Sequence, residues 1–231
     1  MLNPVFIDGI KELLSYSLIL NISGEGGSGK TNLAIHLVSE LLCDDESCIW
    51  VQASELFPVN RLKQIYEKEK SRKILDQIYL TPKDRPILSF GEQRSIIQNL
   101  TNSDTILPPE TKIIVIDNIS HHLRFEVLSL QSEFERIASI QNRFYEEQLL
   151  PLISLCNHNS ITLILIHEIT YVPSMNKSRN FFYKLYDRIK SISIMLSGQL
   201  NARKKKMKIS HSDSQKVFSY TIDQKGLRIE H

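Results

Sequence analysis

The residues with the clearest chemical purpose are Gly24-Glu25-Gly26-Gly27-Ser28-Gly29-Lys30-Thr31. They read G-x-x-x-x-G-K-T, the pattern of a phosphate-binding P-loop. Glycines let successive backbone N–H groups curl around a phosphate. A helix that starts inside the loop adds free N–H donors and the positive end of its dipole. Lys30 is expected to reach the β- and γ-phosphates, and the Thr31 hydroxyl to hold Mg²⁺. Gly24 through Asn32 are therefore the candidate nucleotide-binding residues. A ligand-free glycine turn is the simpler alternative, but a Lys-Thr pair opening a helix has no packing purpose.

The chemistry requires a strand before the loop and a helix after it. Leu18 to Ile22 is a short apolar strand candidate, and Leu33, Leu37, Val38 and Leu41 recur at helical spacing between Asn32 and Leu42. Further on, Ile113-Ile114-Val115-Ile116 is an unbroken apolar run ending in Asp117, which predicts a strand buried on both faces of a parallel sheet. Asp117 would then be the second acidic partner of the P-loop, oriented towards the metal. Hydrolysis also needs a group that positions water. Glu55, after the predicted strand Cys48 to Val51, is the first choice, with Ser54 as the competitor for that place. His167 and Glu168 follow the predicted strand Ile161 to Ile166. They are placed to sense the γ-phosphate and pass the signal onward, and Glu168 is the second catalytic candidate. His36, the pair His121-His122, and His158 are expected at the surface.

Alternating strands and helices followed by β-rich sequence predict an α/β fold. Its mostly parallel central sheet is flanked by helices and ends in an antiparallel β tail of Ile192 to Leu196, Lys206 to Ser210 and Val217 to Ile222. One long helix is expected from about Leu128 to Asn157, bent or broken at Pro151. In such sheets ligands sit beyond the carboxyl ends of the strands, where the P-loop, Glu55, Asp117 and His167-Glu168 would all converge. A chain of 231 residues without a linker or repeat reads as one domain over residues 1–231.

A composition of 42% hydrophobic and 23% charged residues is that of an ordinary globular chain. No apolar run approaches the roughly 20 residues needed to span a bilayer, and no signal peptide opens the chain, so no membrane contact and a cytoplasmic location are expected. Cys43, Cys48 and Cys156 lack metal spacing and are expected reduced. A net charge of +2 exerts no global pull on nucleic acid, so any such site needs local clusters. Arg203, Lys204 and Lys205, with Lys206 and Lys208, form the densest one. Lys177, Arg179 and Lys184 form another within Tyr171 to Arg188, interleaved with Phe181, Phe182, Tyr183 and Tyr186. Cations among aromatics suit single-stranded nucleic acid, through phosphate contacts and base stacking. A solvated hairpin and an ordinary loop are the plain alternatives.

With these residues in view, the chain resembles the RecA/RadA recombinase superfamily. It is most similar there to archaeal RadA paralogues that retain only the ATPase core. The likeness is carried by GEGGSGKT, ELFPVNRLKQI (Glu55 to Ile65), KIIVID (Lys112 to Asp117), RFYEEQLLPLISL (Arg143 to Leu155), ITLILIHEIT (Ile161 to Thr170) and VFSYTIDQKGL (Val217 to Leu227). The resemblance implies a RecA-like P-loop NTPase core that binds ATP with Mg²⁺ and hydrolyses it slowly. It also implies DNA binding through two loops, one after Asp117 and one over Tyr171 to Arg188, and a part in homologous recombination and repair. The chain departs from the family where Gln52-Ala53-Ser54-Glu55 replaces Asp-Thr-Glu and where His167-Glu168 replaces the Asn-Gln sensor. The expectation is therefore a non-filamentous accessory protein that binds single-stranded DNA and modulates the main RadA-type recombinase. The competing expectation is a nucleotide-sensing regulator, similar to circadian-clock ATPases of this fold, that acts on protein partners without DNA.

Overall fold

The computed structural model describes residues 2–130, 133–198 and 204–230. The chain opens with helix α1 (Pro4–Leu14), capped by the Asn3 side chain, which accepts from the Val5 N–H at 2.9 Å. It continues through β1 (Ile19–Gly24), α2 (Lys30–Leu41), β2 (Ser47–Gln52), α3 (Val59–Ile65), α4 (Lys68–Gln77), β3 (Ile78–Thr81) and α5 (Phe90–Thr101). Next come β4 (Thr111–Asp117), α6 (His121–Leu128), α7 (Phe134–Phe144), a π-wound turn (Tyr145–Leu149) and α8 (Leu150–His158). The last part holds β5 (Thr162–Val172), β6 (Lys177–Asn180), the short α9 (Tyr183–Tyr186), β7 (Ile192–Ser197), β8 (Lys205–His211), β9 (Ser214–Asp223) and β10 (Gly226–Glu230).

Among the described residues the strands form one ten-stranded sheet in the order β10-β9-β8-β7-β1-β5-β4-β2-β3, with β6 beside the far end of β5. From β7 to β3 every pairing is parallel, whereas β7 to β10 run antiparallel. The unbroken apolar run of β4 explains itself here. Side chains alternate across a strand, so Ile113 and Val115 enter one core with Leu33, Leu37 and Trp50, while Ile114 and Ile116 enter the other with Ile97, Leu123 and Leu152. α1 to α4 cover the first face and α5, α6 and α8 the second. No helix among the described residues is long and apolar enough to cross a membrane.

Three expectations are corrected. The long helix of 128–157 is two α-helices joined by a π-wound turn, preceded by a break after α6. Pro151 has no N–H to close an i→i−4 bond, and the turn just before it widens. The stretch Tyr171 to Arg188 is not a long loop: β5 runs on to Val172 and turns back as β6, with Ile169 opposite Asn180 and Val172 opposite Lys177. His36 and His122, expected at the surface, are buried. His36 bridges elements. Its Nε2 accepts the Leu227 N–H at 3.3 Å, so its Nδ1–H donates to the Tyr66 hydroxyl at 2.8 Å. His122 donates from Nε2 to the Ala53 carbonyl at 2.8 Å.

Candidate functional site

The P-loop leaves β1 at Gly24 and enters α2 at Lys30. Two of its glycines are required by geometry. A Cβ on Gly24 would lie 2.6 Å from the Leu196 carbonyl oxygen. Gly29 caps α2 with φ of 95° in the left-handed region, and a Cβ there would lie 2.6 Å from Ile222 Cδ1. The Lys30 ammonium curls back into the loop and donates to the carbonyls of Gly24 (3.0 Å) and Glu25 (2.9 Å). Burial lowers its pKa, opposed by the carboxylates of Asp117, Glu168, Glu55 and Glu25. The Thr31 hydroxyl donates to Asp117 Oδ2 at 2.8 Å. Burial is also the main influence on Asp117, raising its pKa to about 6 against the Thr31 hydrogen bond and the Lys30 charge.

These groups line a cleft of about 390 Å³ beyond the carboxyl ends of the parallel strands. Gly26, Gly27, Gly29, Lys30, Thr31, Asn32, Asp117, Glu55 and Glu168 all border it, and so does Ser54 beside Glu55. Glu168 forms an ion pair with Arg124 at 2.9 Å. Among the described residues no three His, Cys, Asp or Glu side chains cluster to cage a metal. A hydroxyl and one carboxylate in contact are hard oxygen donors, and they fit Mg²⁺ that takes its remaining ligands from phosphate and water.

His167 does not face the cleft. It is buried beneath it, and burial lowers its pKa to about 3, so the ring is neutral. Its Nε2–H donates to Asn21 Oδ1 at 3.0 Å, which leaves Nδ1 to accept from Ser120 at 3.4 Å. The Tyr186 hydroxyl donates to Ser120 at 3.0 Å, and the Asn21 amide donates to Ser191 at 2.8 Å. Alternation along β5 is the reason: Glu168 takes the open side of the strand end and His167 the packed side.

Sequence reasoning missed the walls of the cleft. Arg61 on α3 donates from Nε to Asn32 Oδ1 at 3.2 Å and from its terminal nitrogens to the carbonyls of Asp223 and Gln224. Ile222, near the end of β9, borders the cleft against Gly29. The Tyr220 hydroxyl donates to the Ser28 carbonyl at 2.8 Å and ties the tail to the P-loop. Phe57-Pro58 and Ile222-Asp223-Gln224-Lys225-Gly226 are noted above as family-like stretches, and that is the signal that could have found them. Gly29→Ala is expected to combine left-handed backbone strain of about 1–3 kcal/mol with displacement of Ile222. Its melting temperature should fall by roughly 3–9 °C in a calorimetric scan.

The basic candidates separate. Lys177 and Lys184 are exposed. Arg179 is held by Asp187 and stacks over the Tyr183 ring at 4.7 Å. Lys204 pairs with Glu230 at 2.9 Å. Lys205 is corrected: it is buried against Gly198, because β8 alternates and position 205 shares the inward face of Met207 and Ile209. Arg203 lies outside the described residues. After Asp117 a three-residue link leads into α6, and the connection from α6 to α7, where residues 131–132 lie outside the described residues, belongs to the region expected to hold the first DNA loop. A polar groove of about 630 Å³ does run between β6, α9 and the outer face of β7 and β8, bordered by Lys177, Arg179, Tyr183 and Lys208.

The fold is that of the RecA-like P-loop nucleotide-binding proteins: a mostly parallel sheet, helices on both faces, a P-loop after the first strand and an antiparallel tail. Among solved structures, the chain is similar to that of the RadB recombinase, with a TM-score of 0.70 and 20% identity over 92% of this chain and 90% of that one. In sequence it is similar to the DNA repair and recombination protein RadB of Methanococcoides burtonii. That match is 26% identical over 152 residues, which is 66% of this chain and 61% of the relative's length. No family model matches. Both comparisons thus fall on RadB proteins, and the structural one shows that the chain shares their RecA-like fold.

Proposed function

We propose that the chain binds magnesium ATP and uses it as a switch in homologous recombination and DNA repair, where it assists or restrains a RadA-type recombinase. The observation that carries this reading is the Thr31–Asp117 hydrogen bond at 2.8 Å across the P-loop, with the Lys30 ammonium inside the loop. Bound magnesium ATP would supply the scissile phosphoanhydride. Gly26 to Lys30 would hold its phosphates and Thr31 and Asp117 the cation, with Arg61 forming a wall of the cleft. The water-positioning role belongs to Glu55, which is exposed, or to Ser54, which has no charge to offer. Glu168 is occupied by Arg124. These features support nucleotide binding more strongly than turnover, so hydrolysis is slow. Residues 1–231 act as one ATPase unit.

The DNA contact runs along the polar groove, with Lys177 and Lys184 as the exposed cations. Single-stranded DNA titrated at low salt, with and without magnesium ATP, tests this. Replacing both lysines with alanine should reduce the slope of log affinity against log salt by about 1.4. Absence of any binding at low salt sinks the DNA role and favours the reading of a nucleotide-dependent regulator of protein partners. The pairing of Arg179 and Lys204 with carboxylates and the burial of Lys205 are the observations on that side.

A further inference from the structure

Among the described residues, strand β10 ends the sheet, paired with β9 on one side only. The hairpin register decides which of its backbone groups face outward. Asp223 opposite Gly226 closes a two-residue turn, so Arg228 and Glu230 exchange ladder bonds with Thr221 and Ser219. Leu227 and Ile229, opposite Ile222 and Tyr220, then point their N–H and C=O groups away from β9. The Leu227 N–H agrees: it donates outward to His36 at 3.3 Å. The next outward pair along the edge belongs to Ile229.

Ile229 borders a groove of about 820 Å³ between β10, the start of α1 and the corner where α3 meets α4. Leu2, Ile65 and Tyr66 give the groove its apolar surface. Its charged rim is lopsided, with Lys70, Lys225 and Arg228 against the single carboxylate of Glu67. Lys70 is shared with Glu40 and Arg228 with Asp223, while Lys225 has no ion pair among the described residues.

We infer that this groove docks an extended acidic peptide of a protein partner, which adds a strand to β10. The peptide's main chain pairs with the outward N–H and C=O of Ile229. Alternation along the added strand sets the rest. Side chains on the Ile229 face lie against Tyr66, Ile65 and Leu2 and must be apolar. Those on the other face lie beside Arg228 and Lys225 and must be acidic.

The test uses the full chain and labelled eight-residue peptides alternating valine with glutamate or valine with lysine, read by fluorescence anisotropy without nucleotide. The valine–glutamate peptide should bind saturably, and the valine–lysine peptide should not. Lys225→Glu with Arg228→Glu should weaken binding by about tenfold or more. Ile229→Pro should do the same, because the N–H it removes faces away from β9 and proline is tolerated at an edge. N-methylation of the peptide on its pairing edge gives the same readout without altering the protein. No binding, or binding unchanged by both Ile229→Pro and N-methylation, overturns the inference. Loss on charge reversal alone, with N-methylated peptide still bound, also rejects strand addition and leaves only a basic patch.

Discussion

Lys30→Ala is expected to lower the affinity for magnesium ATP by about 30- to 1,000-fold, a change readable by isothermal titration calorimetry. Two losses add. The ammonium is the donor that would meet the β- and γ-phosphates, and a charge-assisted hydrogen bond of this kind contributes about 1.5–3 kcal/mol. It is also the cation facing the carboxylates of Asp117, Glu168, Glu55 and Glu25. Without it, a polyanionic ligand must enter a cleft of uncompensated negative charge. The fold should tolerate the change. Lys30 is held by two carbonyls rather than by an ion pair, and burial already opposes its charge. The melting temperature without ligand should therefore stay close to that of the parent, so affinity and stability separate. Unchanged affinity in a folded Lys30→Ala protein would refute nucleotide binding at the P-loop.

Acid should destabilise the fold before most carboxylates titrate, with a net loss of about 3 kcal/mol between about pH 7 and about pH 5. His36 and His167 are fully buried and neutral, with pKa values lowered by burial to about 4 and about 3. The unfolded chain binds a proton on each near pH 6.5, the folded chain only far below. Their stabilisation is complete above about pH 6.5 and is lost as pH falls towards the folded values. Each contributes roughly 2 kcal/mol of loss by about pH 5. Asp117 works the other way. Its raised pKa means the folded state takes up its proton first, so it favours the folded state as pH falls through about 6, by roughly 1 kcal/mol by about pH 5. Urea unfolding across this range gives the slope. His167→Gln should flatten it, and a slope unchanged by both His36→Gln and His167→Gln would contradict the burial assignment.

Two buried imidazoles, His36 and His122, mark where the sequence was silent. A histidine carries no periodic signal of its own, and His36 and His122 each sit in a helix whose packed side is set by tertiary contacts. His36 is buried because Tyr66 and Leu227, far away in the chain, come to it. By contrast, β4 and the P-loop were legible because their information is local: an unbroken apolar run, and glycines at fixed offsets before Lys30-Thr31. The hairpin of β5 and β6 was hidden for the opposite reason. The residues of β6, Lys177 to Asn180, are polar and lack a strand's alternation, and the ladder with Ile169 to Val172 is what makes them a strand. Arg61 and Ile222 needed the sheet order, which puts β9 and β10 at the far edge and folds their turn back over α3. Lys205 shows the limit of counting charge. In a run of basic residues on a strand, every second one faces inward.

The hydrogen bond from Tyr220 to the Ser28 carbonyl joins residues 192 positions apart. Together with Ile222 against Gly29 and Arg61 on the carbonyls of Asp223 and Gln224, it makes the β9–β10 hairpin a wall of a site whose loop precedes it by most of the fold. During translation the P-loop leaves the ribosome long before that wall exists. A chain interrupted before β9 thus carries the complete P-loop motif without the wall that closes the cleft.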